Sequence, residues 1–160
     1  MADIFTPAKR SEVMSHIKGR GNQRTEIAFM RLLRQQKITG WRRHKPVTLV
    51  ITPRPHTRGR RQSVRPDFVF SALRLAVFID GCFWHGCPRH GVQPTSNELF
   101  WRDKIQGNAK RDRRVARALR RQGWSVLRVW EHEMHAGDKV IARLQRSMAR
   151  CAERIVDRPR

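Results

Sequence analysis

The chain has 160 residues, with 35 Lys and Arg against 13 Asp and Glu, a formal net charge of +22. That length is about one domain, enough to bury a core without disulfide support, and no apolar run approaches the roughly 20 residues of a membrane span, which argues against an integral membrane protein. The charge excess has the sign that attracts phosphate backbones, so nucleic acid is the expected partner; a basic structural protein is the plainer competitor.

A polybasic membrane-surface protein fits poorly, because the arginines are spread along the chain instead of lying beside an amphipathic anchor. The N-terminal M-A-D-I-F-T-P lacks the order of a secretory signal, so a soluble, cytoplasmic protein is expected. Residues 1–21 carry Arg10, Lys18 and Arg20 with few apolar anchors and read as a mobile arm preceding one domain over 22–157. The spacing of Phe29, Leu32 and Leu33 predicts a helix over 26–37, capped at Asn22 or Thr25, with Glu26 in its first turn. An acid there either compensates the helix dipole or takes part in function, at even odds.

Residues 47–51 read as a strand, followed by an arginine-rich, proline-broken loop over 52–61. That loop is either a phosphate contact or a solvated insertion. Phe68 to Phe70 and the apolar run 75–79 then predict two buried strands. A hairpin centred between Leu73 and Arg74 sets Asp67 directly opposite Asp80, on one face. Two such carboxylates repel unless a cation lies between them, and a hard divalent ion such as Mg2+ fits that pair; strand-end acids that merely face solvent are the common alternative.

The stretch L-A-V-F-I-D-G-C-F-W-H-G-C-P-R-H, 75–90, crowds an acid, two cysteines, two aromatics and two histidines at the end of a strand. Three cysteines cannot all pair, and Cys151 falls on the apolar face of the last helix. Cys82, Cys87 and His90 lie within nine residues and supply three of the four ligands of a tetrahedral zinc site. The fourth is His132 if the strand over 124–130 runs beside the central one; His135 competes. Between them, a helix is predicted from near Ser96, with a break at Gly107 and a C-terminal cap at Gly123. Asp138 caps a final helix with Val140, Ile141, Leu144, Met148, Cys151 and Ile155 on one side. This order gives an α/β domain with helices on both faces of a small mixed sheet.

The strings D-G-C-F-W-H-G-C-P, R-P-D-F-V-F, F-W-R-D-K-I, N-A-K-R-D and G-W-S-V-L-R-V-W-E-H-E closely resemble the very short patch repair (Vsr) DNA mismatch endonucleases, over about 14–132. The resemblance implies a three-layer fold of the restriction-endonuclease, PD-(D/E)xK, type with a structural zinc. It also implies Mg2+-dependent, strand-specific nicking of duplex DNA beside a T:G mismatch left by deamination of 5-methylcytosine, starting very short patch repair. By that likeness Asp67 is the principal metal-binding carboxylate, Asp80 and the carbonyl of Ile79 complete the metal site, His85 is the catalytic histidine and Glu26 a supporting acid. Phe83, Trp84 and Trp101 match the side chains the family wedges into the base stack, with Met14 approaching from the arm, and Lys104 and Asn108 match positions that meet the mismatched bases.

The chain departs from the family where some members carry histidine at the position of Asp80, in the register of Arg89 and His90, and in the longer loop over 52–61. The expected enzyme is a nucleoid-associated monomer, linked functionally to a cytosine methyltransferase and to downstream repair enzymes. The alternatives are the same nuclease core with a different or broader specificity, and a zinc-stabilised DNA-binding module whose acids are silent.

Overall fold

The computed structural model describes residues 25–51, 60–91 and 97–157; the arm over 1–21, with Met14, and the tip of the arginine-rich loop over 52–59 lie outside them. In chain order the elements are α1 (Glu26–Gln35), β1 (Trp41–Arg43), β2 (Val47–Ile51), β3 (Arg60–Val64), β4 (Phe68–Phe70), β5 (Leu75–Asp80), α2 (Glu98–Arg121), β6 (Ser125–Trp130), a 3-10 turn (Glu131–Ala136) and α3 (Gly137–Val156). Four strands form a mixed sheet in the order β1-β4-β5-β6, antiparallel except for β5 with β6, and β2 and β3 pair separately as an antiparallel hairpin.

Alternation along the strands sorts side chains to two cores. Phe68, Phe70, Leu75, Val77, Leu127 and Val129 pack against Phe29 and Leu33 of α1 and Val140, Ile141 and Leu144 of α3. The opposite face sends Val69 and Ala76 against Val115, Ala118 and Leu119 of α2 and Val47 and Leu49 of the hairpin. Helices therefore cover both faces, as the element order predicts. Central β5 is buried by both layers, and its last residue, Asp80, faces the α2 side at 2% exposure.

Several expectations need correcting. Phe70 pairs with Leu75 and Phe68 with Val77, so the β4–β5 hairpin is centred one residue earlier than expected and the register slides by two. The turn sets this: Arg74 adopts a left-handed φ of 47° and its N–H donates to the Ser71 carbonyl at 3.1 Å. A two-residue slip keeps each side chain on its face, so Asp67 and Asp80 share a face but are not opposite one another. β1 and β3 were not expected: Arg60 and Arg61 read as the end of the loop over 52–61, yet Arg60–Val64 pairs residue by residue with Val47–Ile51. Helix α2 runs unbroken through Gly107, with no atom near enough to require a glycine there. In α3, Asp138 lies in the first turn and not at the cap, and Ile155 is 44% exposed instead of in the core.

Candidate active site and nucleic-acid interface

β5 and β6 run parallel, with Phe78 beside Arg128 and Asp80 beside Trp130, so both deliver their last residues to one edge of the sheet. There Cys82 Sγ lies 3.1 Å from His132 Nδ1, and Cys87 Sγ lies 3.6 Å from the same nitrogen and 3.9 Å from His90 Nδ1. Tetrahedral zinc with ordinary Zn–S and Zn–N bonds sets its sulfur and nitrogen ligands about 3.6 Å apart, so the two thiols and two imidazoles fit the ion. Burial, with Cys87 opposite, pushes the Cys82 thiol up despite a hydrogen bond at His132, the state of facing thiols that a cation reverses. His132, not the exposed His135, completes the set.

The loop between the two cysteines is wound tightly. The His85 N–H donates to the Gly81 carbonyl at 3.2 Å and the Cys87 N–H to the Cys82 carbonyl at 2.9 Å. Gly86 has a left-handed φ of 63°, and a Cβ there would stand 2.9 Å from Ile105 of α2. Alanine at 86 is therefore expected to loosen the loop from α2 and to lower zinc retention in elemental analysis, at a stability cost of roughly 1–3 kcal/mol.

An open cleft of about 650 Å³ lies in front of this loop, and Glu26, Asp67, Ile79, Asp80, His85 and Arg128 all border it. Asp67 Oδ2 accepts the Ile79 N–H at 2.7 Å. Burial, then Glu26 and Asp80, push the Asp67 carboxyl up to about 6 against that hydrogen bond. Glu26, 5% exposed, receives Arg43 Nη2 at 2.6 Å and faces His44 Nε2 at 2.9 Å. Ligand atoms of Glu26, His44 and Asp67 all lie within 4.8 Å of one another, and the two carboxylates supply hard oxygen donors that fit a divalent cation beside the Ile79 strand.

Asp80 belongs to a second group. Its oxygens accept Arg128 Nε and Nη2, each at 2.5 Å, and His85 Nδ1 stands 3.7 Å away. The strong partner of His85 is Asp112, whose Oδ2 is 2.5 Å from Nδ1 and 3.0 Å from Arg128 Nη2. Burial alone raises the Asp112 carboxyl, but His85, Arg128 and Arg111 outweigh it and hold it below its ordinary value. Burial likewise opposes the Arg128 cation, and Asp80 with Asp112 outweighs that and raises it. The structure thus gathers Asp67, Asp80, His85 and Glu26 around one cleft, but it splits the two aspartates between different partners.

Asp112, Arg128 and His44 were not expected. Asp112 is the sole acid in the basic run 104–121, and Arg128 interrupts the apolar strand V-L-R-V-W; both are signals that residue-by-residue reading can use.

The aromatics cluster around Trp84, which borders the cleft. Phe83 stacks edge-on with Trp84 at 5.1 Å and with Trp101 at 5.3 Å between ring centres. Trp101 is 7% exposed and supports the other two, whereas Leu99 and Phe100, at 65% and 59%, carry the exposed apolar surface of α2. Asn108 donates to the Trp84 carbonyl at 2.9 Å, and Lys104 is exposed one turn earlier. A second cleft of about 390 Å³ continues from His85, Asp112 and Arg128 along Arg113, Arg117 and Arg120 of α2. Among the described residues, no helix is long and apolar enough to cross a membrane.

Carboxylates and imidazoles at the end of a central strand, beside aromatics and a basic helix face, define a DNA-cleaving enzyme. The family model described as DNA mismatch endonuclease Vsr matches residues 54–90. Type II nicking enzyme V.XorIIP of Xanthomonas oryzae pv. oryzae is 35% identical over 91% of this chain and 96% of its own length. Type II nicking enzyme V.NaeI of Lentzea aerocolonigenes is 61% identical over 44% of this chain and 42% of its own. The DNA mismatch endonuclease Vsr of Escherichia coli is 44% identical over 48% of this chain and 49% of its own. The chain belongs to the Vsr DNA mismatch endonuclease family and is a DNA endonuclease.

Proposed function

We propose that this enzyme nicks one strand of duplex DNA beside a T:G mismatch, using Mg2+ for the chemistry and Zn2+ to hold the loop that carries His85. The observation that supports this best is the convergence on one cleft of Asp67, the Asp112–His85 pair and Trp84, which stacks with Phe83 and Trp101. A divalent ion, when bound, polarises the phosphate and makes water a stronger nucleophile. Asp67 would anchor it, with the Ile79 carbonyl and Glu26 alongside. His85 works as the proton acceptor: with Nδ1 committed to Asp112, Nε2 is the ring nitrogen left to take the proton. Phe83 and Trp84 enter the weakened stack at a wobble pair, which is cheaper to open than an intact step, and Lys104 meets the bases.

Incubation with Mg2+ and matched duplexes tests this. A nick on the T strand of T:G duplexes, absent from C:G controls, is expected; equal cutting of both, or none, rejects it. Asp112→Asn is expected to leave duplex affinity within twofold and slow single-turnover nicking by about 10²- to 10⁴-fold, as loss of the carboxylate that orients a catalytic imidazole does elsewhere. Arg117→Ser with Arg120→Ser is expected to weaken duplex binding and reduce the salt slope of log K by roughly 2, leaving the rate at saturating DNA unchanged.

A further inference from the structure

We propose that Arg128 is itself a catalytic cation, facing the phosphate under attack, and that Asp80 acts through it as a positioning residue and not as a metal ligand. The inference rests on the nuclease reading of the cleft and adds a residue to it.

The guanidinium is fixed on every side but one. Its plane lies over the Phe78 ring, 5.4 Å from the centroid. Its Nε edge is taken by the almost fully buried Asp80, and Nη2 is shared with Asp112. The backbone behind it is pinned as well: Arg143 Nη2 donates to the Arg128 carbonyl at 3.1 Å, and Glu133 holds Arg143 at 2.7 and 2.9 Å. Nη1 has no acceptor among the described residues, and the side chain keeps 27% of its surface exposed. Arg128 borders both the 650 Å³ cleft of Asp67 and the 390 Å³ arginine-lined cleft, so it stands where a strand passing between them crosses His85.

This geometry bears on Asp80 directly. Both its oxygens are engaged by a guanidinium in a side-on, charge-assisted pair, and ligation of a metal requires breaking that pair inside the protein. Among the described residues Asp67 has no such competitor. A planar, permanently charged fork with one open N–H face suits a phosphate whose oxygens gain charge in the transition state. An ion pair that served only to hold β5 to β6 needs no opening onto either cleft.

The test uses the full-length protein and two readouts. Calorimetric titration of the DNA-free protein with Mn2+ is expected to show Asp80→Asn within fivefold of the original affinity and Asp67→Asn with binding lost; a weakening of fivefold or more in Asp80→Asn overturns the assignment. Single-turnover nicking of a T:G duplex by Arg128→Ala is expected to fall at least 100-fold with duplex affinity within threefold, and methylguanidinium is expected to restore at least a tenth of the loss. Asp80→Asn combined with Arg128→Ala is expected to be no slower than the worse single variant. Arg128→Ala retaining more than a tenth of the rate, or no recovery with methylguanidinium, overturns the catalytic role. Should Arg128→Ala misfold by zinc content and melting, Arg128→Lys decides: a tenfold or greater loss of rate supports the role, and a smaller loss overturns it. If the unaltered protein cuts no duplex, the nuclease reading fails, while the Mn2+ comparison still decides what Asp80 does.

Discussion

Asp67→Asn is expected to end nicking and at the same time to make the metal-free protein more stable. The carboxyl sits at about 6 in the folded chain against an ordinary value of 3.8, because it is buried and faces Glu26 and Asp80. Between those two values the unfolded chain has released the proton and the folded one has not. Stability therefore falls as pH rises through that window and stays low above it. Two units correspond to about 3 kcal/mol at most, or roughly 5–10 °C in melting temperature for a domain of this size. Asparagine keeps an acceptor for the Ile79 N–H and carries no charge, so it removes the pH slope and recovers most of that difference. Melting curves from pH 4 to 8 without divalent ions check the sign: the original protein loses stability through this window and the variant does not. Adding Mg2+ is expected to stabilise only the original, and nicking by the variant to drop at least 10³-fold. Ordinary turnover by Asp67→Asn excludes it as the metal anchor.

The second large effect belongs to the cysteine and histidine cluster. Cys87→Ser is expected to reduce zinc content from one ion per chain to none and to cost roughly 3–5 kcal/mol, about 10–15 °C in melting temperature. The cost falls short of that of an isolated zinc finger because two apolar cores persist on either side of the sheet. Nicking is expected to fall further than stability, since His85 lies between the two cysteines on the loop that a zinc ion held by this cluster would fasten. Chelation followed by melting separates the two: an unchanged curve with undiminished nicking removes the structural role.

The legible parts of the chain were those whose chemistry is local. Strands 68–70 and 75–79 carry uninterrupted apolar runs, and Cys82, Cys87 and His90 advertise a metal by proximity; His132 follows once β6 is laid parallel to β5. What escaped depends on partners far along the chain. Strand β3 carries charge and has little apolar pattern, so only its pairing with β2 makes it a strand. The hairpin register hung on whether Arg74 turns left-handed, a choice composition does not encode. Asp112 looks like one more member of a charge run until α2 packs it on His85, and Arg128 looks like a solvent-facing strand residue until it meets Asp80. Arginines are dense in the loop over 52–61, but the buried guanidinium network is built on Arg128, a single arginine within an apolar strand.

The parallel pairing of β5 with β6 joins residues some fifty positions apart. Asp80 waits for Arg128, and Cys82 for His132. During synthesis the chain therefore exposes Asp80 and Cys82 well before their counterparts leave the ribosome. A chain that stops at the end of α2 lacks Arg128 and His132, and so leaves Asp80 and Cys82 without their partners from the β6 end of the sheet.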